Sequence, residues 1–368
     1  MNFDFPDEVK AMQQQASDYL TRTGSRALAR KVLDGEGGVA RRDWAEMARM
    51  GWTGLTIPER FGGAEIGHIA LCGLAYELGR QLTPAPFASS VYLVAEALTL
   101  FGSDAQKQTW LPGLAEGALA GCFAQSEGLS NGGGHLRRAS VSGGRLNGAK
   151  TPVADGVCAD FALVRANGEG GEALYLVDLS GPGVARAPVR TVEGIREHAE
   201  IRFDNAPADL LVEGTAQIER LLERAAVMFA FEQVGGAQAC LDMGVAYAHE
   251  RYAFGRPIGS FQAIKHKLAD IFVATELARS NAYFAAWALS TDASELPVAA
   301  ATARLSAGKA YWLAAKETIQ TLGGIGFTWD IDAQLYYRRH KALKLNLGAE
   351  RFWEDRLIEG LKAGLVEL

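Results

Sequence analysis

Cysteine is scarce and poorly placed for cross-linking. The 368 residues hold four, Cys72, Cys122, Cys158 and Cys240, far apart and without a Cys-x-x-Cys pair. That excludes a disulfide framework and points to a reducing, cytoplasmic setting. The six histidines show no His-Glu-x-x-His spacing, so no metal site is expected. A basic excess is also missing: 37 Lys and Arg stand against 43 Asp and Glu, a net charge of −6. Surfaces that neutralise phosphates need such an excess, so nucleic acid is set aside as a partner. No apolar run reaches the roughly 18 residues of a transmembrane helix, and no membrane span is expected. The first eight residues are acidic and lack the basic-then-apolar form of a signal peptide. Walker A and Gly-x-Ser-x-Gly sequences are absent too. What remains is an ordinary globular composition, 48% hydrophobic and 22% charged, long enough for two or three domains.

Periodicity divides the chain into three zones. Residues 1–118 read as an N-terminal helical domain, with helices over Val9–Arg22, Ala40–Met50, Ala70–Gln81 and Val91–Phe101. Gly24 stops the first, and Pro58–Gly63 forms a turn between the second and third. Residues 119–213 carry short β-type runs: Cys122–Ser126, Arg138–Ser142, Arg145–Thr151, Phe161–Arg165, Ala173–Asp178 and Ala199–Phe203. Asn131-Gly132 and Asn167-Gly168 read as tight turns. Strands so spaced predict a small antiparallel barrel or sandwich. Residues 214–368 return to helix, over about 216–251, 261–289, 297–322, 330–345 and 348–365. The order is helices, a β module, then a helical bundle.

Two stretches invite a functional reading. Gly323-Gly324-Ile325-Gly326 follows a helix rather than a strand, so it fails the context test for a dinucleotide loop and reads locally as a helix C-cap. Arg251–Arg256 closes a long helix. Its local reading is cations beside a helix C-terminus with Gly255 as stop; its functional reading is a guanidinium offered to a phosphate. Acidic pairs such as Glu354/Asp355 and Glu213/Glu219 read as solvated faces.

Longer stretches resemble the acyl-CoA dehydrogenase family, over nearly the whole chain and in the right order. Ile57-Pro58-Glu59-Arg60-Phe61-Gly62-Gly63 is similar to the family's Pro-Glu-x-Tyr-Gly-Gly turn. Tyr76-Glu77-Leu78-Gly79-Arg80 is similar to its Glu-Leu-Gly-Arg helix end, and Leu146-Asn147-Gly148-Ala149-Lys150 to its Ile-Asn-Gly-x-Lys hairpin. The stretch from Arg251 to Gln262 resembles Arg-x-x-Phe-Gly-x-x-Ile-x-x-x-Gln, and the one from Gln320 to Phe327 resembles Gln-x-x-Gly-Gly-x-Gly-Phe. The resemblance implies an α+β multi-domain fold: an N-terminal helical domain, a middle antiparallel β-barrel and a C-terminal four-helix bundle. It implies FAD, an acyl-CoA substrate oxidised to its trans-2-enoyl-CoA, and an electron-transferring flavoprotein as acceptor. It also implies that Arg251, Phe254, Gln320 and Gly324, with Gln262, reach a neighbouring subunit's FAD, overturning the local reading of both stretches.

The chain departs from the family where the chemistry would happen. A glutamate base is implied on a Tyr-Glu-Gly-Thr turn, which here reads Asn346-Leu347-Gly348-Ala349. The family's other base position falls on Ala225. Neither leucine nor alanine accepts a proton. Glu223 and Glu232 are the candidate substitutes. The family's Thr-Glu-Pro-x-x-Gly-Ser-Asp segment becomes Ser126-Glu127-Gly128-Leu129-Ser130-Asn131-Gly132, and its Trp-Ile-Thr becomes Pro152-Val153-Ala154. Ser126 is left as the flavin-contact candidate in this zone. Groups that would reach a neighbour's FAD are kept, and those of the chain's own site are eroded. The expectation is a base-lacking subunit of a heteromeric dehydrogenase for bulky acyl-CoAs, steroid or fatty, completed by a homologous partner. The alternatives are a homo-oligomer with a relocated glutamate, or a non-redox scaffold of the same fold.

Overall fold

The computed structural model describes residues 4–36, 41–128 and 139–364. The chain opens with α1 (Asp7–Arg22), α2 (Ser25–Leu33), α3 (Arg41–Arg49), α4 (His68–Arg80), α5 (Glu96–Phe101) and α6 (Asp104–Ala115). Gly24 adopts a left-handed φ of 70° after α1, the stop that the sequence predicts. The sequence reading omits α2 and α6. The second had a legible signal: Ser103 Oγ accepts from the Gln106 N–H at 3.2 Å, and Gln106 Oε1 accepts from the Ser103 N–H at 2.9 Å. That reciprocal pair is a capping box. Where one helix from Val91 is predicted, a π-helix over Ala88–Ala95 runs directly into α5.

The middle zone holds β1 (Gly121–Ala124), β2 (Ser140–Ser142), β3 (Arg145–Ala154), β4 (Phe161–Gly168), β5 (Gly171–Asp178), β6 (Val184–Val189), β7 (His198–Pro207) and β8 (Asp209–Glu213). They join in one sheet of order β6-β7-β3-β2-β4-β5-β8, with β1 also on β4. Pairing is mainly antiparallel; β1 and the Ser140–Asn167 contact of β2 run parallel to β4. Val141, Leu146, Val164, Val177, Ile201 and Phe203 supply inward faces of one apolar core. The Asn167-Gly168 turn is displaced by two residues. Both remain paired, with Glu172 and Gly171, and the turn falls at Glu169-Gly170. The apolar register across β4 and β5 fixes that pairing more firmly than a dipeptide preference. Arg138 and the Asn131-Gly132 turn lie outside the described residues.

The remaining helices are α7 (Thr215–Glu250), α8 (Gln262–Ser290), α9 (Leu296–Leu322), α10 (Ala333–Leu345) and α11 (Glu350–Lys362). Two compact units result: residues 1–31, 68–83 and 226–368 form one, and 32–67 and 84–225 the other. In the first, α4 crosses α7 at bare backbone. A Cβ on Gly79 would lie 2.0 Å from Glu232 O, and one on Gly235 would lie 2.0 Å from Tyr76 O. Only glycine permits so close a crossing. Arg80 then pairs with Asp242 at 2.8 Å, and Tyr336 Oη donates to Arg80 O at 2.7 Å.

Candidate functional site

The two best-kept stretches follow α7 and end α9 at the same end of the helical unit. After α7, strands Tyr252–Ala253 and Arg256–Pro257 pair around Phe254-Gly255. Both loop residues have positive φ, 53° and 76°, the pattern of a type I′ hairpin. The Ile258 N–H closes the loop on Arg251 O at 2.8 Å. A phenylalanine in the left-handed region is costly, and here the hairpin pairing on either side constrains it. The loop leaves the Phe254 ring 95% exposed, edge-on to Phe261 at 6.1 Å. Arg256 covers Phe261 at 4.1 Å. Arg251 and Gln262 are exposed.

The second stretch sits at the end of α9. Ile319 and Leu322 pack with Met243 and Tyr247 of α7, and the Arg251 N–H donates to Tyr247 O at 2.9 Å. Gln320 is exposed. Gly323, with φ 67°, turns the chain, as the local capping reading has it. Gly324 is different: a Cβ there meets no atom within 4 Å. Among the described residues, nothing packs at 324 in a way that requires glycine. Phe327 is 80% exposed.

The family's base turn is closed instead. Leu347 is 3% exposed with φ 63°, and Gly348 follows at φ 112°. Arg304, buried on α9, donates to Asn346 O at 2.7 Å, to Leu343 O, and to Gln233 Oε1 at 2.8 Å. Burial pulls its guanidinium down to a pKa of about 10. Glu232 is buried, and its Oε1 accepts two hydrogen bonds from Arg339, one from Nε at 3.2 Å and one from Nη2. Neither pairing is legible in the sequence, because partners 71 and 107 residues apart leave no local pattern.

In the other unit Ala225 is fully buried and Glu223 nearly so. Beside them Arg224 Nε donates to Glu96 Oε1 at 2.5 Å, both residues buried. Ser126 is exposed, and its carbonyl accepts from the Thr151 N–H at 2.8 Å. Fully buried Lys150 anchors this segment, donating to Glu127 Oε1 at 2.7 Å and Gln125 O at 3.3 Å. The hairpin motif therefore carries a buried ion pair that its sequence did not announce. Pro152 and Ala154 end β3, followed by Asp155 at φ 60°, ion-paired to buried Arg196.

Residues 6–118 match the model of the acyl-CoA dehydrogenase N-terminal domain, and residues 212–359 that of the C-terminal domain. The probable acyl-CoA dehydrogenase YngJ of Bacillus subtilis is 30% identical, over 95% of this chain and 96% of its own. Among solved structures, a variant of the Tcur3481-Tcur3483 steroid ACAD superposes with a TM-score of 0.88 at 30% identity, covering 97% and 98% of the two chains. The ChsE4-ChsE5 complex from Mycobacterium tuberculosis gives 0.89 at 27%, covering 98% and 99%. Two domain models in order, a full-length relative and these matching structures lead to one conclusion: the chain belongs to the acyl-CoA dehydrogenase family.

Proposed function

We propose that this chain is the base-lacking subunit of a heteromeric, FAD-dependent acyl-CoA dehydrogenase, and that it completes the cofactor site of a glutamate-bearing partner. The observation that carries this is the contrast between an exposed, family-like helix end and a family base turn filled by a buried leucine. The exposed end fits a dinucleotide. Arg251 offers a fixed positive charge to a diphosphate, the bare backbone at Gly324 allows close approach, Gln320 and Gln262 add amide donors, and Phe254 presents an aromatic face. The chain's own β zone fits the flavin ring poorly. Ser126 supplies a hydroxyl, but Pro152 has no aromatic face and Ala154 no hydroxyl.

When bound, FAD supplies the hydride acceptor for α,β-dehydrogenation of the thioester. This chain's part is to orient the cofactor. No side chain at Leu347 or Ala225 can hold the α-proton, and Glu232 is already engaged by Arg339. General-base catalysis needs a proton acceptor within hydrogen-bond reach of that proton, and on this reading the partner's glutamate provides it. The steroid enzyme and the two-protein complex among the similar structures support a bulky acyl-CoA substrate and a paired assembly. An electron-transferring flavoprotein is the proposed acceptor.

Expression alone and together with a glutamate-bearing homologue tests this. The co-expressed complex should hold two copies of each chain and one FAD per unlike pair, read by native mass spectrometry and flavin absorbance. The chain alone should carry little FAD and little dehydrogenase activity. One FAD per subunit and normal turnover by the chain alone would sink the reading. Loss of that turnover on Glu232→Gln or Glu223→Gln would then mark a relocated base.

A further inference from the structure

Beneath the closed turn lies a cavity of about 120 Å³, lined by Gln233, Arg304, Gly308, Lys309, Lys344 and Glu350, with the Trp353 indole in its wall. Its floor is buried and rich in donors. Gln233 is fully buried and Trp353 is 1% exposed. Gln233 Nε2 and Trp353 Nε1 have no hydrogen-bond partner among the described residues. The orientation of the amide is not arbitrary. Arg304 Nη1 requires an acceptor and takes Gln233 Oε1 at 2.8 Å, so the amide's two N–H groups face the other way. Gly308 leaves the space beside them open: a Cβ there would meet only Gln233 Nε2, at 3.6 Å. Glycine inside a helix costs about 1 kcal/mol against alanine, and no close packing at 308 requires it. The rim adds charge. Lys344 pairs with Glu350 at 2.6 Å and Lys309 approaches the same carboxylate at 3.9 Å, so three cations face one anion around the cavity.

We propose that this cavity is a binding site for a small anion, a carboxylate or an inorganic oxyanion, held by Gln233 Nε2 and Trp353 Nε1 on the floor and by the lysines at the rim. Leu305 and Trp312 complete the wall; indole N–H only donates, and two unpaired buried donors beneath a rim with a cationic excess select an acceptor. The volume suits an acetate- or phosphate-sized ion; it equally suits about four waters at their liquid share of roughly 30 Å³ each. The site is separate from the exposed helix-end motifs, and it does not depend on the heteromer reading.

The test follows the indole ¹H–¹⁵N resonance of Trp353, assigned by its loss in Trp353→Phe, in the full-length protein. Sodium acetate, phosphate and chloride are titrated separately, with gluconate, too large for the cavity, holding ionic strength constant. The expected result is a saturable shift with at least one small anion, weakened about tenfold or more by Gln233→Leu. Gly308→Ala, which improves helix propensity and so should fold, is expected to weaken it as well. Saturation by acetate alone identifies a carboxylate site, and saturation by phosphate alone an oxyanion site. Shifts that stay linear and equal for all ions, or that persist unchanged in both variants, mean a water-filled cavity and overturn the proposal.

Discussion

The helical unit treats two ends of one helix differently. The N-terminal part of α10 packs, through Ala333 and Tyr337, at the end where Arg251, Phe254, Gln320 and Gly324 stand in solvent. About 18 Å further along the axis, at 1.5 Å per residue, Leu347 is shut in and Arg304 claims the carbonyls of Leu343 and Asn346. At the first end the sequence resembles the family and leaves Arg251, Phe254, Gln320 and Gly324 exposed. At the second it has left the family and serves packing. On the proposed function, the exposed residues face a partner's cofactor and the buried ones carry no catalytic task.

That contrast has measurable consequences. The largest is expected at Arg304. Its replacement by Met strands the carbonyls of buried Leu343 and half-buried Asn346 and the Gln233 amide oxygen, each worth roughly 1–3 kcal/mol when buried and unpaired. A loss of about 3–5 kcal/mol in urea unfolding should result. An unchanged midpoint would show that the closed turn is held by other means.

Next comes His340, buried on α10 against Tyr311 and Trp312. Its Nε2 lies 3.2 Å from Gly308 O, and Nδ1 has no hydrogen-bond partner among the described residues. Burial, with Lys341, Lys344 and Arg304 nearby, holds its pKa down at about 4, against 6.5 unfolded. Between these values the unfolded chain binds more protons, so stability present above pH 6.5 is lost as pH falls toward 4. The loss should approach about 2–3 kcal/mol, and His340→Phe should flatten the profile there. An identical pH profile in that variant would place the acid sensitivity elsewhere.

The smallest stability effect belongs to the exposed end. Arg251→Ala and Phe254→Ser should each stay within about 0.5 kcal/mol of the parent in unfolding. Flavin retention in the assembled complex should nonetheless drop with Arg251→Ala. Destabilisation on the scale of Arg304, or full flavin retention, would dissolve the contrast between the two ends.

Much of the architecture was legible because long amphipathic helices announce themselves. The predicted span 216–251 matches Thr215–Glu250, and 297–322 matches Leu296–Leu322. Short elements were harder. β6 and β8 were omitted; the exposed Val184–Val189 strand is buried at none of its residues, so it shows no apolar alternation. At the site, motif residues were visible as a string, but their partners were not. Lys150 with Glu127, Glu232 with Arg339 and Arg304 with the 343–346 carbonyls are long-range pairings. Such pairings depend on how helices and strands are brought together, which no local period encodes. In the sequence Gly79 belongs to a helix-end signature; in the structure it is the point where two backbones touch.

That touch bears on how the chain can be divided. Chain order suggests removing the first 118 residues to leave a tidy β-plus-helix fragment. Such a fragment would carry α7 with a bare groove at Gly235, shaped for a helix that also lacks a side chain, and with Asp242 and Tyr336 deprived of Arg80. Few surfaces could substitute for α4 there, since any Cβ in its place collides with a carbonyl. A fission of the gene at that point would separate two halves of one core, and so the chain is best handled, expressed and engineered whole.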